Sequence, residues 1–160
     1  MSDLSIDFSR FCDRLKFHVS SDIILNDYLS SDYLWNSKFI RSKLCLAIGN
    51  YYQMEQETVC DIAVVSELIH NASLIHDDII DGDELRRNVP SIWKQHGKNN
   101  AILLGDLLIA KSFNIISNLE ISDSSKVVAV ELLSETISAL VKGVFHEINE
   151  DFENKLDVND

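Results

Sequence analysis

Proline and glycine are scarce in this sequence of 160 residues, which has one proline, Pro90, and five glycines. Both residue types interrupt helices, so their scarcity disfavours a loop-rich β architecture and favours long helices. The hydrophobic residues, 46% of the chain, suffice for one domain with a real core. We therefore predict an all-α protein in which residues 1–160 form one helical domain and residues 149–160 an acidic tail.

Cysteine and positive charge are also in short supply. There are three cysteines, Cys12, Cys45 and Cys60, an odd number without close spacing. This pattern gives no disulfide framework and no CxxC metal site. We predict buried thiols in a reducing compartment. The net charge of −12 argues against a general nucleic-acid surface, because such a surface needs clustered lysine and arginine. An anionic ligand would therefore need a local basic site or a bound cation.

Long uninterrupted apolar runs are absent as well. The first residues, Met1–Leu4, contain neither a basic segment nor an apolar one, so we predict no signal peptide. Polar residues such as Asp106 interrupt the apolar stretches before they reach the roughly 20 residues that span a bilayer. We expect a soluble, cytoplasmic protein without a transmembrane segment.

Apolar residues at helical spacing define the helices that are present. The helix over 58–81 is the strongest of these predictions, because it contains no glycine or proline and Gly82 follows as a terminator. Residues 85–98, with the only proline, are predicted as a loop or short helical pieces. The other predicted helices cover 8–29 with an interruption at Ser20-Ser21, 38–53, 100–119, and 122 or 123 to about 148.

Three aspartates cluster at the end of the strongest helix. Asp77 and Asp81 lie four residues apart and so point to the same side, within reach of Asp78. Like charges at this spacing, at the negative end of the helix dipole, destabilise a bare helix. A magnesium ion would remove both penalties, and it is often shared with substrate phosphates. The alternative is a solvated acidic helix end, which is the commoner arrangement for an isolated pair of aspartates.

Basic residues accompany these acids in an otherwise acidic chain. Arg86 and Arg87 follow within a few residues, and His70 lies two turns before Asp77 on the same helix face. Lys38 and Arg41 stand at the start of another predicted helix, where free N–H groups and cations suit a diphosphate. Taken alone, that second pair could equally be a solvent-facing basic turn.

These motifs resemble those of the trans-isoprenyl diphosphate synthases, or polyprenyl synthetases. The segment ELIHNASLIHDDIID over 67–81 resembles the family's first aspartate-rich motif, DDxxD. ELRRNVP over 84–90 is similar to RRGxP, with Asn88 in place of glycine, and QHG and AILLGD resemble the elements that follow. NSKFIRS over 36–42 is similar to GGKxxRP, with Asn36, Ser37 and Ser42 in place of the glycines and the proline.

The resemblance implies an all-α bundle around an apolar cavity, in which an allylic diphosphate ionises with the help of magnesium and condenses with isopentenyl diphosphate. It implies magnesium ligands at Asp77, Asp78 and Asp81. It assigns the allylic diphosphate to Arg86, and isopentenyl diphosphate to Lys38, Arg41, His70 and Arg87. Ala72 and Ser73 would lie beneath the aspartates, where small residues are typical of medium- or long-chain synthases.

The resemblance covers residues 33 to 147 and matches the first half of the family's chain, since no second DDxxD follows Asp81. A shortened chain, one half of a split enzyme and a diverged subunit would each account for this. Two functions are therefore open. The chain is either a polyprenyl-type prenyltransferase or a non-catalytic half that binds prenyl diphosphate or partners a full-length synthase. In both cases we expect a homo- or hetero-oligomer.

Overall fold

The computed structural model describes residues 8–29, 32–35 and 37–157, in two compact units, 1–121 and 122–160. The first unit contains α1 (Phe8–Ser20), α2 (Ile23–Leu29), α3 (Asp32–Trp35), α4 (Ile40–Tyr51), α5 (Gln56–Asp81), β1 (Leu85–Arg86), β2 (Val89–Pro90), α6 (Ile92–His96) and α7 (Lys98–Ser117). The second contains α8 (Asp123–Asp157). The all-α class is confirmed, whereas the prediction of one domain with an acidic tail stays a prediction.

The predicted interruption between the first two helices is confirmed. α1 ends at Ser20, and α2 begins at Ile23. The side chain of Asp22 caps the new helix by accepting hydrogen bonds from the backbone N–H groups of Ile24 and Leu25, at 3.0 and 3.2 Å. A short acceptor at this position satisfies N–H groups that have no partner inside the helix.

α5 is the central helix of the first unit and packs against α1, α4 and α7. Its first turn is capped by Glu55, whose carboxylate accepts hydrogen bonds from the N–H groups of Glu57 and Thr58. Its last turn is closed by Gly82 in the left-handed conformation, with φ of 72°, as the sequence predicts. The core around this helix includes Phe11 and Leu15 of α1, Leu46 of α4, Val64, Leu68 and Ile75 of α5, and Leu104 and Leu108 of α7.

α4 turns an unexpected side toward α5. The apolar residues that share one side of this helix are exposed, including Ile40, Leu44 and Tyr51. The buried residues of α4 are instead Ser42, Leu46 and Gly49. A Cβ added at Gly49 would lie 2.5 Å from both methyl groups of Val59. The two helices therefore pack at a distance that only a glycine at this crossing permits.

The segment predicted as loop or short helical pieces contains a β-hairpin as well as α6. β1 and β2 are antiparallel, with Leu85 opposite Pro90 and Arg86 opposite Val89. Two-residue strands are too short to show an alternating pattern, which is why the sequence does not reveal them. α8 extends to Asp157, beyond the predicted end near residue 148.

Among the described residues, α5 and α7 are long and apolar enough to cross a membrane by length and composition alone. The expectation that the chain has no transmembrane segment stays a prediction. The most apolar 18-residue part of α5 is 72% buried inside the protein, and that of α7 is 39% buried. Core helices of soluble proteins are equally long and apolar.

A charged cluster joins α1 to α5 far from the predicted site. Arg14 donates two hydrogen bonds to Asp61, Nε to Oδ1 at 2.7 Å and Nη2 to Oδ2 at 2.6 Å. His18 Nε2 lies 2.9 Å from Asp61 Oδ1. Burial raises the pKa of Asp61, but the hydrogen bonds from His18 and Arg14 outweigh it, and the net pKa is lowered.

Because the folded pKa of Asp61 lies below its ordinary value of 3.8, the charged carboxylate stabilises the fold above that value. The stabilisation is lost as pH falls through the folded pKa. We expect Asp61→Asn to lower the free energy of unfolding by about 2 kcal/mol at pH 7, the worth of hydrogen bonds to a charged group. The difference from the unchanged protein should shrink as pH falls below 3.8 and through the lowered pKa of Asp61. Urea unfolding at a series of pH values measures this difference in the free energy of unfolding. Asp13→Asn, which changes an exposed acid of α1, is the control. A difference that does not depend on pH would contradict a stabilising charge on Asp61.

Candidate functional site

The C-terminal end of α5 buries one of its three clustered aspartates. Asp78 is fully buried, and its carboxylate Oδ1 accepts a hydrogen bond from Arg86 Nε at 2.7 Å and another from Arg86 Nη2. Arg86 Nη2 also lies 3.5 Å from Asp83 Oδ2. The backbone N–H groups of Gly82 and Asp83 both donate to the carbonyl oxygen of Asp78. Asp78 thus holds the hairpin against the helix end.

The hairpin turn places the two arginines. Arg87 and Asn88, between β1 and β2, have φ of 54° and 67°, and positive φ at both central residues is the requirement of a type I′ turn. Asparagine adopts this conformation more readily than most residues. Asn88 can therefore replace the glycine of the RRGxP-like segment and leave the turn intact.

The other two aspartates of the cluster are more accessible. Asp81 is exposed and Asp77 half-buried, one helical turn apart. Burial raises the pKa of Asp77, and the neighbouring charge of Asp81 raises it further, while Arg86 opposes the shift. The structure therefore leaves two repelling carboxylates at the surface, a feature that a divalent cation would relieve.

Three predicted diphosphate-binding arginines lie close enough to His70 for their charges to act on it. Burial lowers the pKa of His70 to about 4, and the positive charges of Arg41, Arg87 and Arg86 lower it further. His70 is therefore neutral at pH 7, among three cations. Lys38, the fifth predicted diphosphate-binding residue, is exposed and stands three positions before Arg41.

An aromatic cluster fixes the backbone between Lys38 and Arg41. Phe39 has φ of 51°, a left-handed conformation that is strained for a bulky residue. Its ring packs 5.7 Å from Phe8, 5.5 Å from Phe11 and 6.2 Å from Trp35 between ring centroids. Strain of this kind persists only where the surroundings enforce it.

α7 comes close to α5 beside the aspartates. A Cβ added at Gly105 would lie 2.2 Å from His76 Nε2, and the same nitrogen lies 3.3 Å from the carbonyl oxygen of Ile102 and 3.8 Å from Asp106. Gly105 therefore accommodates the His76 ring. The GD element of the sequence thus has a packing role on this side of the site.

The structure gives different places to the two predicted chain-length residues. Ala72 is buried and Ser73 half-buried, one turn before the aspartates, and the Ser73 hydroxyl donates to the carbonyl oxygen of His70 at 2.9 Å. Within the described residues, no three histidine, cysteine or acidic side chains are gathered as a metal site. The assigned roles of all ten predicted site residues therefore stay predictions.

Glu67 was not singled out from the sequence, and Ser42 was named only as the replacement for a motif proline. Glu67 and Ser42 are buried and joined by a hydrogen bond of 2.7 Å. Asp83, which shares Arg86 with Asp78, was also not singled out. A buried glutamate amid apolar residues three positions before His70 was the only available signal for the first pair.

Solved structures share this fold. A geranylgeranyl pyrophosphate synthetase from Geoglobus acetivorans superposes with a TM-score of 0.80 at 26% identity, over 91% of this chain and 49% of that one. A geranylgeranyl pyrophosphate synthetase from Pyrococcus horikoshii gives a TM-score of 0.79 at 27% identity, over 92% of this chain and 46% of that one. The architecture is that of the all-α isoprenoid synthases.

Sequence relatives lead to the family. The polyprenyl synthetase family model matches residues 25–160, and the chain belongs to that family. It is 33% identical to a geranylgeranyl diphosphate synthase of Methanosarcina mazei over 135 residues, and 37% identical to a short chain isoprenyl diphosphate synthase of Methanocaldococcus jannaschii over 145. These matches cover 83% and 89% of this chain, but 41% and 42% of the relatives. The chain thus spans about two-fifths of their length.

Removing the guanidinium that neutralises Asp78 should destabilise the first unit. We expect Arg86→Ala to lower the free energy of unfolding by about 3 kcal/mol, because a buried carboxylate loses its charged partner. Lys94→Ala is the matched control: Lys94 and Glu84 form an exposed pair at 2.7 Å, and its loss should cost under about 1 kcal/mol. Thermal or urea unfolding measures the stability of both variants. An equal loss of stability in the two would show that the ion pair between Asp78 and Arg86 stabilises the protein no more than an exposed pair does.

Proposed function

We propose that this chain binds the diphosphate groups of prenyl substrates at the end of α5, with magnesium, as part of prenyl diphosphate synthesis. The observation that carries the proposal is the convergence of Arg41, Arg86 and Arg87 around His70, next to the repelling pair Asp77 and Asp81. The matched relatives are named as prenyl diphosphate synthases. Their substrates, an allylic diphosphate and isopentenyl diphosphate, are the proposed ligands.

Asp77 and Asp81 would hold the magnesium ion. Their oxygen ligands suit this hard cation. Burial raises the pKa of Asp77 and the charge of Asp81 raises it further, and the cation would offset the repulsion between the two carboxylates. Asp78 is turned into the protein and bonded to Arg86, so in this arrangement it would support the site from behind. When bound, the metal supplies charge neutralisation for a departing diphosphate.

The basic residues would divide the phosphate contacts. Arg87 and Arg41 offer guanidinium forks that match phosphate oxygens, and neutral His70 offers a hydrogen bond with no further charge. Lys38 contributes a cation at the edge. Ala72 and Ser73, being small, would leave room beneath the aspartates for a prenyl tail of medium or long chain. We further propose that the protein acts in the cytoplasm, and as an oligomer.

One observation favours a second function: Arg86 engages the carboxylate of Asp78, one of the three predicted magnesium ligands. The alternative is a non-catalytic half that binds prenyl diphosphate or partners a full-length synthase. Catalysis and binding alone are separable by experiment.

Isothermal titration with inorganic pyrophosphate and with an allylic prenyl diphosphate, with and without magnesium, tests the site. We expect Asp77→Asn and Asp81→Asn each to weaken magnesium-dependent binding about tenfold or more, since each removes a charged ligand. Binding should also weaken as pH falls through the raised pKa of Asp77, because protons compete with the cation. Asp27→Asn, at an exposed position of α2, should change neither.

Product formation then separates the two functions. Elongation of the allylic diphosphate by labelled isopentenyl diphosphate would establish the transferase, and magnesium-dependent binding without elongation would establish the non-catalytic half. If none of the ligands binds, with or without magnesium, the proposed function is wrong in both forms.

The room beneath the aspartates can be tested by binding alone. We expect Ser73→Phe to weaken binding of prenyl diphosphates more strongly the longer their tail, because the new ring occupies the path of the chain. Each buried methylene contributes roughly 0.8 kcal/mol, so a few excluded methylenes should give a difference of about tenfold or more. Affinity for inorganic pyrophosphate should not change. Ser117→Phe, at the exposed end of α7, is the control, and a loss independent of tail length would contradict the assignment.

A further inference from the structure

A buried polar pair links α4 to α5 directly behind the basic residues. Ser42 and Glu67 are 0% and 1% exposed. Glu67 Oε1 accepts a hydrogen bond from the Ser42 hydroxyl at 2.7 Å and another from the Ser42 backbone N–H at 3.3 Å. Ser42 directly follows Arg41, and Glu67 lies one helical turn before His70. The pair therefore joins the two backbones that carry Arg41 and His70.

The first turn of α4 needs a partner from elsewhere. Its N-cap residue, Phe39, provides no side-chain hydrogen bond, although the first N–H groups of any helix lack partners within it. Glu67 supplies an acceptor from the neighbouring helix, and a carboxylate there also suits the positive end of the helix dipole. Ser42 replaces the proline of the GGKxxRP-like segment, and proline could donate neither hydrogen bond.

We propose that Ser42 and Glu67 are positioning residues, whose buried hydrogen bonds fix the first turn of α4 on α5 so that Arg41 faces His70 at the diphosphate site. This inference rests on the proposed function for its ligand, but its geometry is independent of it. The backbone around Arg41 is thereby held on both sides, at Phe39 by the aromatic cluster and at Ser42 by Glu67.

A role in stability alone is a weaker account of this pair. Glu67 Oε2 and Asn71 Oδ1 are buried and have no hydrogen-bond partner among the described residues. A buried acceptor without a partner costs free energy, and apolar side chains of similar size would pack there without that cost. The pair therefore joins the two helices at a higher free energy than apolar side chains would. Orientation of the adjacent Arg41 accounts for its presence.

The position of Arg41 can be measured through the titration of His70 by nuclear magnetic resonance. Arg41→Ala removes the charge of Arg41 and should raise the pKa of His70 from about 4. The size of that rise is the full effect of losing Arg41. Ser42→Ala should raise the pKa in the same direction by part of that amount, because Arg41 is no longer held. Ser112→Ala is the matched control, since Ser112 is equally buried but bonds within α7.

Binding of inorganic pyrophosphate is the second measurement. Ser42→Ala should weaken it about fivefold, the effect of one lost hydrogen bond, whereas Glu67→Gln should bind nearly as the unchanged protein does, because its amide oxygen can still accept from Ser42. If Ser42→Ala does not fold, Ser42→Cys keeps the size with a poorer donor and replaces it.

Two results would overturn the inference: a folded Ser42→Ala protein in which the pKa of His70 is unchanged, or one in which Ser112→Ala moves it equally. Failure of the unchanged protein to bind pyrophosphate would instead refute the proposed function. The His70 titration would still decide whether the pair positions Arg41.

Discussion

The buried ion pair between Asp78 and Arg86 is the interaction on which the arrangement of the site depends. A carboxylate without solvent contact at the negative end of a 26-residue helix is unfavourable unless a cation meets it. Arg86 provides that cation, and it does so from a hairpin that has little core of its own. The ion pair therefore fixes where the hairpin lies, and with it Arg87.

This pairing divides the acidic cluster into two parts. Asp78 is committed to the protein, while Asp77 and Asp81 remain closer to solvent; burial raises the pKa of Asp77, and the charge of Asp81 raises it further. Two turns earlier, burial lowers the pKa of His70, and the charges of three guanidinium groups lower it further, so His70 is neutral. α5 thus carries the repelling pair Asp77 and Asp81 two turns after His70, a neutral side chain within electrostatic reach of arginines from α4 and the hairpin. Such a combination of acids and cations suits a metal diphosphate better than either ion alone.

The sequence predicts the parts of the fold that local pattern controls. α5 was predictable because it lacks glycine and proline and ends at Gly82. The break before α2 was predictable from Ser20-Ser21, although the cap that Asp22 provides was not foreseen. The hairpin was not, since two-residue strands have no period and only Asn88 marks the turn. The orientation of α4 was not either, because it depends on how closely Gly49 and Val59 approach, and that contact joins two helices.

The same limit applies to the site. Spacing brings Asp77 and Asp81 together, and the doubled arginines suggest a basic partner, but spacing cannot tell which aspartate turns inward. That choice depends on the hairpin, which carries Arg86 back to α5. Glu67 could not be paired with Ser42 from sequence, because the two lie 25 positions apart on different helices.

Three of the four departures from the family motifs fit the local structure without strain. Ser37 is not among the residues with positive φ, so it does not adopt the left-handed conformation that favours glycine, and its hydroxyl accepts from the N–H of Phe39. Asn88 adopts the left-handed conformation that it tolerates, and Ser42 gains two hydrogen bonds to Glu67. Asn36 lies outside the described residues. Three substitutions are thus accommodated by the local structure, each through a contact that the replacing residue makes or a backbone conformation that it can adopt.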